Sequence, residues 1–460
     1  MLDLDSAAQA IFARRVGGNA EFMRVTTDSR DIRPGDLFVG IRGERFDGQQ
    51  FAAQALAAGA VAAIVSEIPR NAAASTRFLV VADTRVALGQ LAAFWRARFV
   101  MPLIAITGSN GKTTVKEMLA AILRQSAGEN AVLATAGNLN NDIGMPLTLL
   151  QLRAQHRYAV VEMGMNHLGE IAYLSRLARP TAALINNAGT AHIGELGSTE
   201  AIARAKGEIF EGLDTAGSAI INSDDAFADY WRSLAKPRRV VDFGLDRNAA
   251  VSAHYELADA GSLVTIVTPE NQFVATLNVP GLHNVKNALA AATAAFALGI
   301  EARSIAAGIA AYRGMKGRLQ RKRLLSGATL IDDTYNANPE SMQAAITVLA
   351  ACAGRKVFVI GDMGELGDTA AAMHTAIGVF AKRSGVERLF ALGDLSAAAV
   401  RGFGDGGDHF ATIEDLVAAI KGVLARETTL LIKGSRFMRM ERVVEALGAV
   451  NGEQTAKGGA

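Results

Sequence analysis

Residues 103–124 read LIAITGSNGKTTVKEMLAAILR, an apolar run, a glycine loop and a helical pattern in succession. LIAIT has the length and continuity of a strand buried on both faces. VKEMLAAILR carries its apolar residues at helical spacing. Between them stand Gly108, Ser109, Asn110, Gly111, Lys112, Thr113 and Thr114. Glycines at such a junction let backbone N–H groups curl around phosphate oxygens, and the helix N-terminus adds positive potential. Lys112 is placed to reach terminal phosphates and Thr113 to ligate Mg²⁺. The commonest phosphate loop has a glycine where this chain has Ile106, so the match is to a GxxGK[ST][ST] variant. An ordinary glycine-rich turn would also join strand to helix. GKTT at the junction, with a strand before and a helix after, favours the phosphate reading.

The alternation continues downstream. YAVVEM, AALINN and SAIIN are apolar runs, with helices expected from Leu168 and after Ser198. Apolar strands separated by helices signal a mostly parallel sheet covered on both faces. GSLVTIVTP and FVATLNVPG read as an antiparallel pair, and HNVKNALAAATAAFALG as a long Ala-rich helix. A second α/β run starts near Arg318, with strands ATLID, KVFVIGD, RLFALGD and TLLIKGS. Asn338 before Pro339 suits an N-cap and a first helical position. Upstream, a helical pattern precedes RVTTDSRDIRPGDLFVGIRGERFDG, whose Gly, Asp and Pro indicate short strands and turns. A helix at 51–58, strands at 60–66 and 78–82 and a helix at 84–99 follow. The expected fold class is α/β in three domains. These are a small N-terminal α/β domain (1–100), a central P-loop domain with a mostly parallel sheet (101–313) and a C-terminal Rossmann-like domain (314–460). No long linker separates them, so they should pack closely. The tail NGEQTAKGGA is expected to be disordered.

Composition narrows the function. Half of the 460 residues are apolar and 20% are charged, which suits packed cores rather than global disorder. Lys plus Arg number 47 and Asp plus Glu 45, a net charge of +2. That balance excludes a strongly basic nucleic-acid surface as the main theme. Cys352 is the single cysteine, so neither an intrachain disulfide nor a cysteine-based zinc site can form. MLDLDSAAQA has acids where a signal peptide needs basic residues. The most apolar stretches, such as 288–300, fall short of the roughly 20 residues that span a bilayer. A soluble cytoplasmic protein without membrane insertion is expected.

In open α/β sheets, ligands gather at the carboxyl ends of strands. Glu162 ends YAVVE and His192 follows AALINN in NNAGTAHIGELGS. Either alone also suits a solvated acid or a structural histidine. With Thr113 they come from three strand ends of one sheet, which is what Mg²⁺ with bound phosphate needs. Lys206, in STEAIARAKGEIFEGL, reads by itself as a surface lysine.

Together these segments closely resemble the Mur ligase family, ATP-dependent amide ligases of peptidoglycan precursor synthesis. The resemblance covers nearly the whole chain. It is carried by TDSRDIRPGDLF, ITGSNGKTT, GNLNNDIGMPLTLL, NNAGTAHIGELGS, AKGEIF, GLHNVKNALAA, GMKGRLQ, IDDTYNANPESM, GDMGELGD and KGSR. GNLNN and TYNANPES point to the members that add D-alanyl-D-alanine to UDP-N-acetylmuramoyl-tripeptide. The Asp-Asn-Pro-Arg motif of members that add a diamino acid is absent, and GKTT stands where folylpolyglutamate synthetases usually carry GKGS. Met163 and Met165 depart from the family pattern without touching a charged role.

The resemblance implies a set of roles. Thr113, Glu162 and His192 would ligate Mg²⁺, and Lys206 would be N-carbamylated by CO₂, becoming an anionic oxygen ligand able to bind a second Mg²⁺. Lys112, Glu162, His192 and Lys206 would form the catalytic set. Asn287 and Arg318 would meet ATP from the central domain and hinge, Asp333 and Tyr335 from the C-terminal domain. Ser29 and Arg30 would contact the uridine diphosphate moiety, although a plain turn favours the same residue types. Asn138 and Asn140 would touch substrate. The implied reaction activates the tripeptide's terminal carboxylate as an acyl phosphate, with D-alanyl-D-alanine as the attacking amine. A monomer is expected, with a site between domains that must close for turnover. Whether the tripeptide ends in lysine or diaminopimelate stays open. A nucleotide-dependent switch or chaperone-like ATPase is the rival from another class, and it has no use for the TDSR block.

Overall fold

Three large β-sheets follow one another along the chain in the computed structural model, which describes residues 1–43, 47–70, 75–448 and the backbone of 450–451, and a two-stranded antiparallel ribbon pairs Leu2–Asp3 with Glu21–Phe22. The first sheet has five strands in the order Arg14–Val16, Phe78–Val80, Ala62–Val65, Asp36–Val39 and Arg24–Thr26. All its pairings are parallel except that of Arg14–Val16 with Phe78–Val80. The turn-rich stretch is thus partly strand, as its Val and Phe content allows. Its residues 44–46 lie outside the described residues.

The central sheet has nine strands. Leu103–Thr107 (LIAIT) lies between Tyr158–Glu162 and Ala182–Ile185, parallel to both. Val132–Ala134 forms one edge beyond Tyr158–Glu162. On the other side come Ser218–Asn222, Arg239–Gly244 and Val251–Ala258, then the antiparallel strands Gly261–Val267 and Gln272–Leu277. Every LIAIT side chain is buried, as parallel strands covered on both faces require. One face is covered by the P-loop helix Lys112–Ala127 and the Ala-rich helix Leu282–Ala297. The other shares its core with the first sheet through the helix Thr84–Arg96.

Close helix packing behind the P-loop depends on a glycine. Helix Ala302–Ala311 crosses the P-loop helix at Gly308, where an added Cβ would sit 2.2 Å from the Ile122 Cα. Backbone cannot swing aside as a side chain would. Gly308→Ala is therefore expected to cost about 1–3 kcal/mol, the usual range for overpacking, and to lower the urea midpoint. A midpoint equal to that of the unmutated chain would show that the helices do not meet so closely.

The third sheet has seven strands, ordered Gly407–Phe410, Arg388–Leu392, Arg355–Gly361, Thr428–Lys433, Thr329–Asp333, Gln320–Arg323 and Val450–Asn451. It is parallel up to Thr329–Asp333 and antiparallel beyond. Asn451, read from sequence as the start of a disordered tail, instead pairs with Lys322. Residues 452–460 lie outside the described residues. Asn338 caps helix Pro339–Ala351 in a full capping box with Ser341. Among the described residues no helix is long and apolar enough to cross a membrane.

Candidate active site

The parallel registers bring the three strand ends together: Ile106 lies beside Glu162, and Thr107 beside Ile185. The loop that follows LIAIT turns through Gly108 (φ +156°) and Gly111 (φ +80°). A Cβ on Gly111 would fall 2.2 Å from Asn287 Oδ1, so glycine is required there on two counts. Asn186 and Asn187, just past Ala182–Ile185, brace the loop from behind. Ser109 N–H donates to the Asn187 carbonyl at 3.0 Å, and Asn110 N–H to Asn187 Oδ1 at 2.8 Å. Asn186 Nδ2 donates to the Asn110 carbonyl at 2.9 Å and to Asn287 Oδ1 at 3.1 Å. Asn287 is thus buried against the loop's rear face. Thr114 is buried in the first turn of the P-loop helix.

Lys112 Nζ donates to the carbonyls of Gly108 and Ser109, at 2.5 and 3.3 Å. Enclosure of this ammonium holds it below the ordinary lysine range. Glu162 and Glu365 oppose that shift, while the Arg318 guanidinium adds to it. Thr113 Oγ1 accepts from Arg318 Nη2 at 3.0 Å, and the Arg318 guanidinium lies 4.3 Å over the Tyr335 ring. Asp333 is buried beside them. It accepts from Leu319 N–H and pairs with Lys433 at 2.6 Å. Burial raises its carboxyl above the usual range, against the pull of Lys433.

Glu162 is 2% exposed. One carboxylate oxygen accepts from Asn140 Nδ2 at 2.7 Å, and the other is buried without a partner. A buried carboxylate oxygen left unpaired is costly, and a hard cation is its natural partner. The residues therefore fit Mg²⁺, with Glu162 and Thr113 supplying oxygens. Among the described residues no three His, Cys, Asp or Glu side chains gather to hold a metal. Such sparseness suits magnesium, which keeps phosphate and water as ligands. Asn138 is exposed, its carbonyl accepting from Asn140 N–H at 2.7 Å.

His192 adopts a left-handed backbone (φ +68°), and its Nδ1 lies 2.7 Å from Glu365 Oε2. Glu365 is left-handed as well (φ +62°). Two non-glycine residues of this kind in mutual contact mark strain held by surrounding structure. Lys206 lies in the last turn of helix Thr199–Gly207 and is 1% exposed, so it is not the surface lysine that its sequence alone suggests. Burial, followed by the charge of Lys112, lowers its ammonium well below the ordinary value, while Asp225 pulls the other way. No carboxylate reaches ion-pair distance of it among the described residues.

Ser29 and Arg30 stand apart, in the turn after Arg24–Thr26. Arg30 pairs with Asp28 at 2.8 Å and is otherwise exposed. A cleft of about 580 Å³ opens beside this turn, lined by Arg24 and Thr26 on one side and Leu139 and Arg153 on the other. Sequence reasoning gave no role to Asn186, Asn187, Lys433, Glu340 or Glu365. The paired asparagines at a strand's carboxyl end were the available signal for the first two.

Three family models match the chain: Mur ligase family, catalytic domain (residues 21–96), Mur ligase middle domain (106–295) and Mur ligase, glutamate ligase domain (317–436). The UDP-N-acetylmuramoyl-tripeptide–D-alanyl-D-alanine ligase of Escherichia coli (strain K12) is 44% identical over 442 residues, 94% of this chain and 95% of that one. The chain belongs to the Mur ligase family. It is accordingly an ATP-dependent ligase. The Bacillus subtilis (strain 168) ligase of the same name is 36% identical and covers 92% of each chain. Among solved structures, MurF from Acinetobacter baumannii superposes with a TM-score of 0.90 at 39% identity, covering 96% of this chain and 98% of that one. The MurF ligase from Thermotoga maritima, solved in complex with ADP, superposes at 0.81 with 26% identity, covering 92% and 96%. A folylpolyglutamate synthase at 18% identity shares this Mur ligase fold.

Proposed function

We propose that this Mur ligase joins D-alanyl-D-alanine to the terminal carboxylate of UDP-N-acetylmuramoyl-tripeptide, giving ADP and phosphate. The names of the full-length relatives support the choice of substrates. One observation carries the chemistry. A phosphate loop and the unpartnered Glu162 oxygen lie at adjacent strand ends, under the loops of the third sheet.

A carboxylate resists amine attack because it is anionic and lacks a leaving group. A carboxylate oxygen of the tripeptide attacks the γ-phosphorus of ATP, and the bond to the β,γ-bridging oxygen breaks. The dipeptide's neutral amine then adds to the acyl phosphate carbon. Phosphate leaves with the bonding pair, the nitrogen loses a proton, and an amide remains. Lys112 stabilises charge on the moving phosphoryl group, a contact worth roughly 3–4 kcal/mol in comparable sites. Thr113, Glu162 and His192 would hold Mg²⁺ and a carbamylated Lys206 would offer oxygens to a second Mg²⁺, the ions supplying neutralisation of phosphate charge. Arg318, Tyr335, Asp333 and the Asn287-braced loop form the nucleotide seat. Ser29 and Arg30 anchor the uridine diphosphate, and Asn138 and Asn140 face the substrate. The chain acts in the cytoplasm as a monomer, built of domains at 1–100, 101–313 and 314–460.

The test supplies purified protein with ATP, Mg²⁺ and tripeptides ending in lysine or in diaminopimelate. Phosphate release should match ligated product one to one, and only when D-alanyl-D-alanine is present. Equal release with glutamate and a folate, or release without any acceptor, would overturn the reading.

A further inference from the structure

The third sheet meets the central one through a short set of bonds that the chemistry above does not use. Asn338 caps helix Pro339–Ala351 with its Oδ1, and its Nδ2 donates to Asn110 Oδ1 in the phosphate loop at 2.8 Å. Two residues on, Glu340 accepts twice from Thr190, from the backbone N–H at 2.8 Å and from the hydroxyl at 3.0 Å. Gly194 N–H donates to the Glu365 carbonyl at 2.9 Å. All these bonds converge on two segments, the phosphate loop and the loop that carries His192. The fit is close as well. A Cβ on Gly194 would fall 2.7 Å from the Gly367 nitrogen and 2.8 Å from the Glu365 carbonyl oxygen.

We propose that Asn338 and Glu340 are positioning residues whose bonds to Asn110 and Thr190 clasp the C-terminal lobe onto the phosphate loop and the His192 loop. This rests on the ligase reading above. The bonds of both side chains run to protein groups, at Asn110, Ser341 and Thr190. Each spans the seam, so docking the lobe and fixing the two loops become one event. A hydrogen bond to a carboxylate is worth more than a neutral one, and Glu340 receives two. The contact is also mostly polar, with Ile193 of the His192 loop the apolar side chain packed against the C-terminal core, so opening the seam hands mainly polar groups to water. Such a clasp can release and re-form once per turnover.

The unmutated chain is assayed first, with ATP, the tripeptide and D-alanyl-D-alanine. No ligation there rejects the ligase reading and, with it, the clasp. Given ligation, Glu340→Ala and Thr190→Val should each lower kcat by about 10- to 100-fold, the loss expected for bonds to a charged acceptor. The KM for ATP should stay within about threefold, because the phosphate loop itself is intact. The double variant should be no slower than Glu340→Ala, which already removes both bonds, including the hydroxyl bond that Thr190→Val deletes. Glu340→Gln, which keeps an acceptor for the Thr190 N–H, should recover part of the rate. Gly194→Ala is an independent arm that alters no bonding group. It wedges the seam sterically and should reproduce the kcat loss, again with little change in ATP KM. Multiplicative effects in the double variant, or near-normal kcat in folded Glu340→Ala or Gly194→Ala, would overturn the clasp while leaving the ligase reading in place.

Discussion

Lys112→Ala is expected to fold normally and to lose ligation by about 10²–10³ or more in kcat, the effect of deleting one preorganised charge contact to a transition state. The fold should survive because the Lys112 ammonium bonds only to carbonyls of its own loop, at Gly108 and Ser109. The loop's shape is kept by Asn186, Asn187 and Gly111, none of which needs the lysine. Activity should suffer because no other cation in the loop replaces it: Arg318 is held by Thr113 and Tyr335. Measuring kcat beside a urea melt checks both halves. Near-normal turnover in a folded Lys112→Ala protein would remove the phosphate-loop assignment.

Lys206→Ala should lose most activity by a different route. An ammonium buried near Lys112 is penalised twice, by lost hydration and by like charge, and both favour the neutral amine. A neutral amine can attack CO₂; one proton leaves, and the head group becomes an anionic carbamate. Its oxygens then suit Mg²⁺. Small carboxylic acids such as formate or acetate should partly restore Lys206→Ala by filling the anionic slot. Bicarbonate should raise the activity of the unmutated enzyme prepared free of CO₂. Mass measurement showing a bare ammonium in the active, ATP-bound enzyme would sink the carbamate. The roles of Lys112 and Glu162 would stand without it.

Much of this was legible in the sequence because the central fold is written in continuous apolar runs. LIAIT, YAVVE and AALI are strands at the expected places, GSNG is the loop between strand and helix, and KTT opens the helix. Strands without such runs were not legible. Gln320–Arg323 reads QRKR, and its pairings with Thr329–Asp333 and Val450–Asn451 make it a strand. Val251–Ala258 is mostly exposed, and Arg239–Gly244 begins with an exposed arginine, so neither shows the buried pattern of its neighbours. The site divides in the same way. Residues on one strand end could be guessed from local context, as Glu162 and Lys112 were. Asn338 was legible as a cap, because Asn-Pro is a local signal, yet its bond to Asn110 joins positions 228 residues apart. Glu365 gave no local sign that it would meet His192.

The helix Thr84–Arg96 has a consequence for how the molecule comes apart. Its Leu88, Leu91 and Trp95 share one hydrophobic core with Leu37 and Ile64 of the first sheet and with Leu103 and Val161 of the central sheet. Parting those two sheets would expose apolar surface at roughly 25 cal/mol per Å². The third sheet has its own cores on both faces and meets the others mainly through amides, hydroxyls and carboxylates, which water can replace, with Ile193 the apolar side chain packed against cores on both sides. In terms of cooperativity, three sheets therefore make two melting units. The boundary between them lies near Arg318, so the C-terminal unit can detach and return as a body while the rest of the chain stays folded.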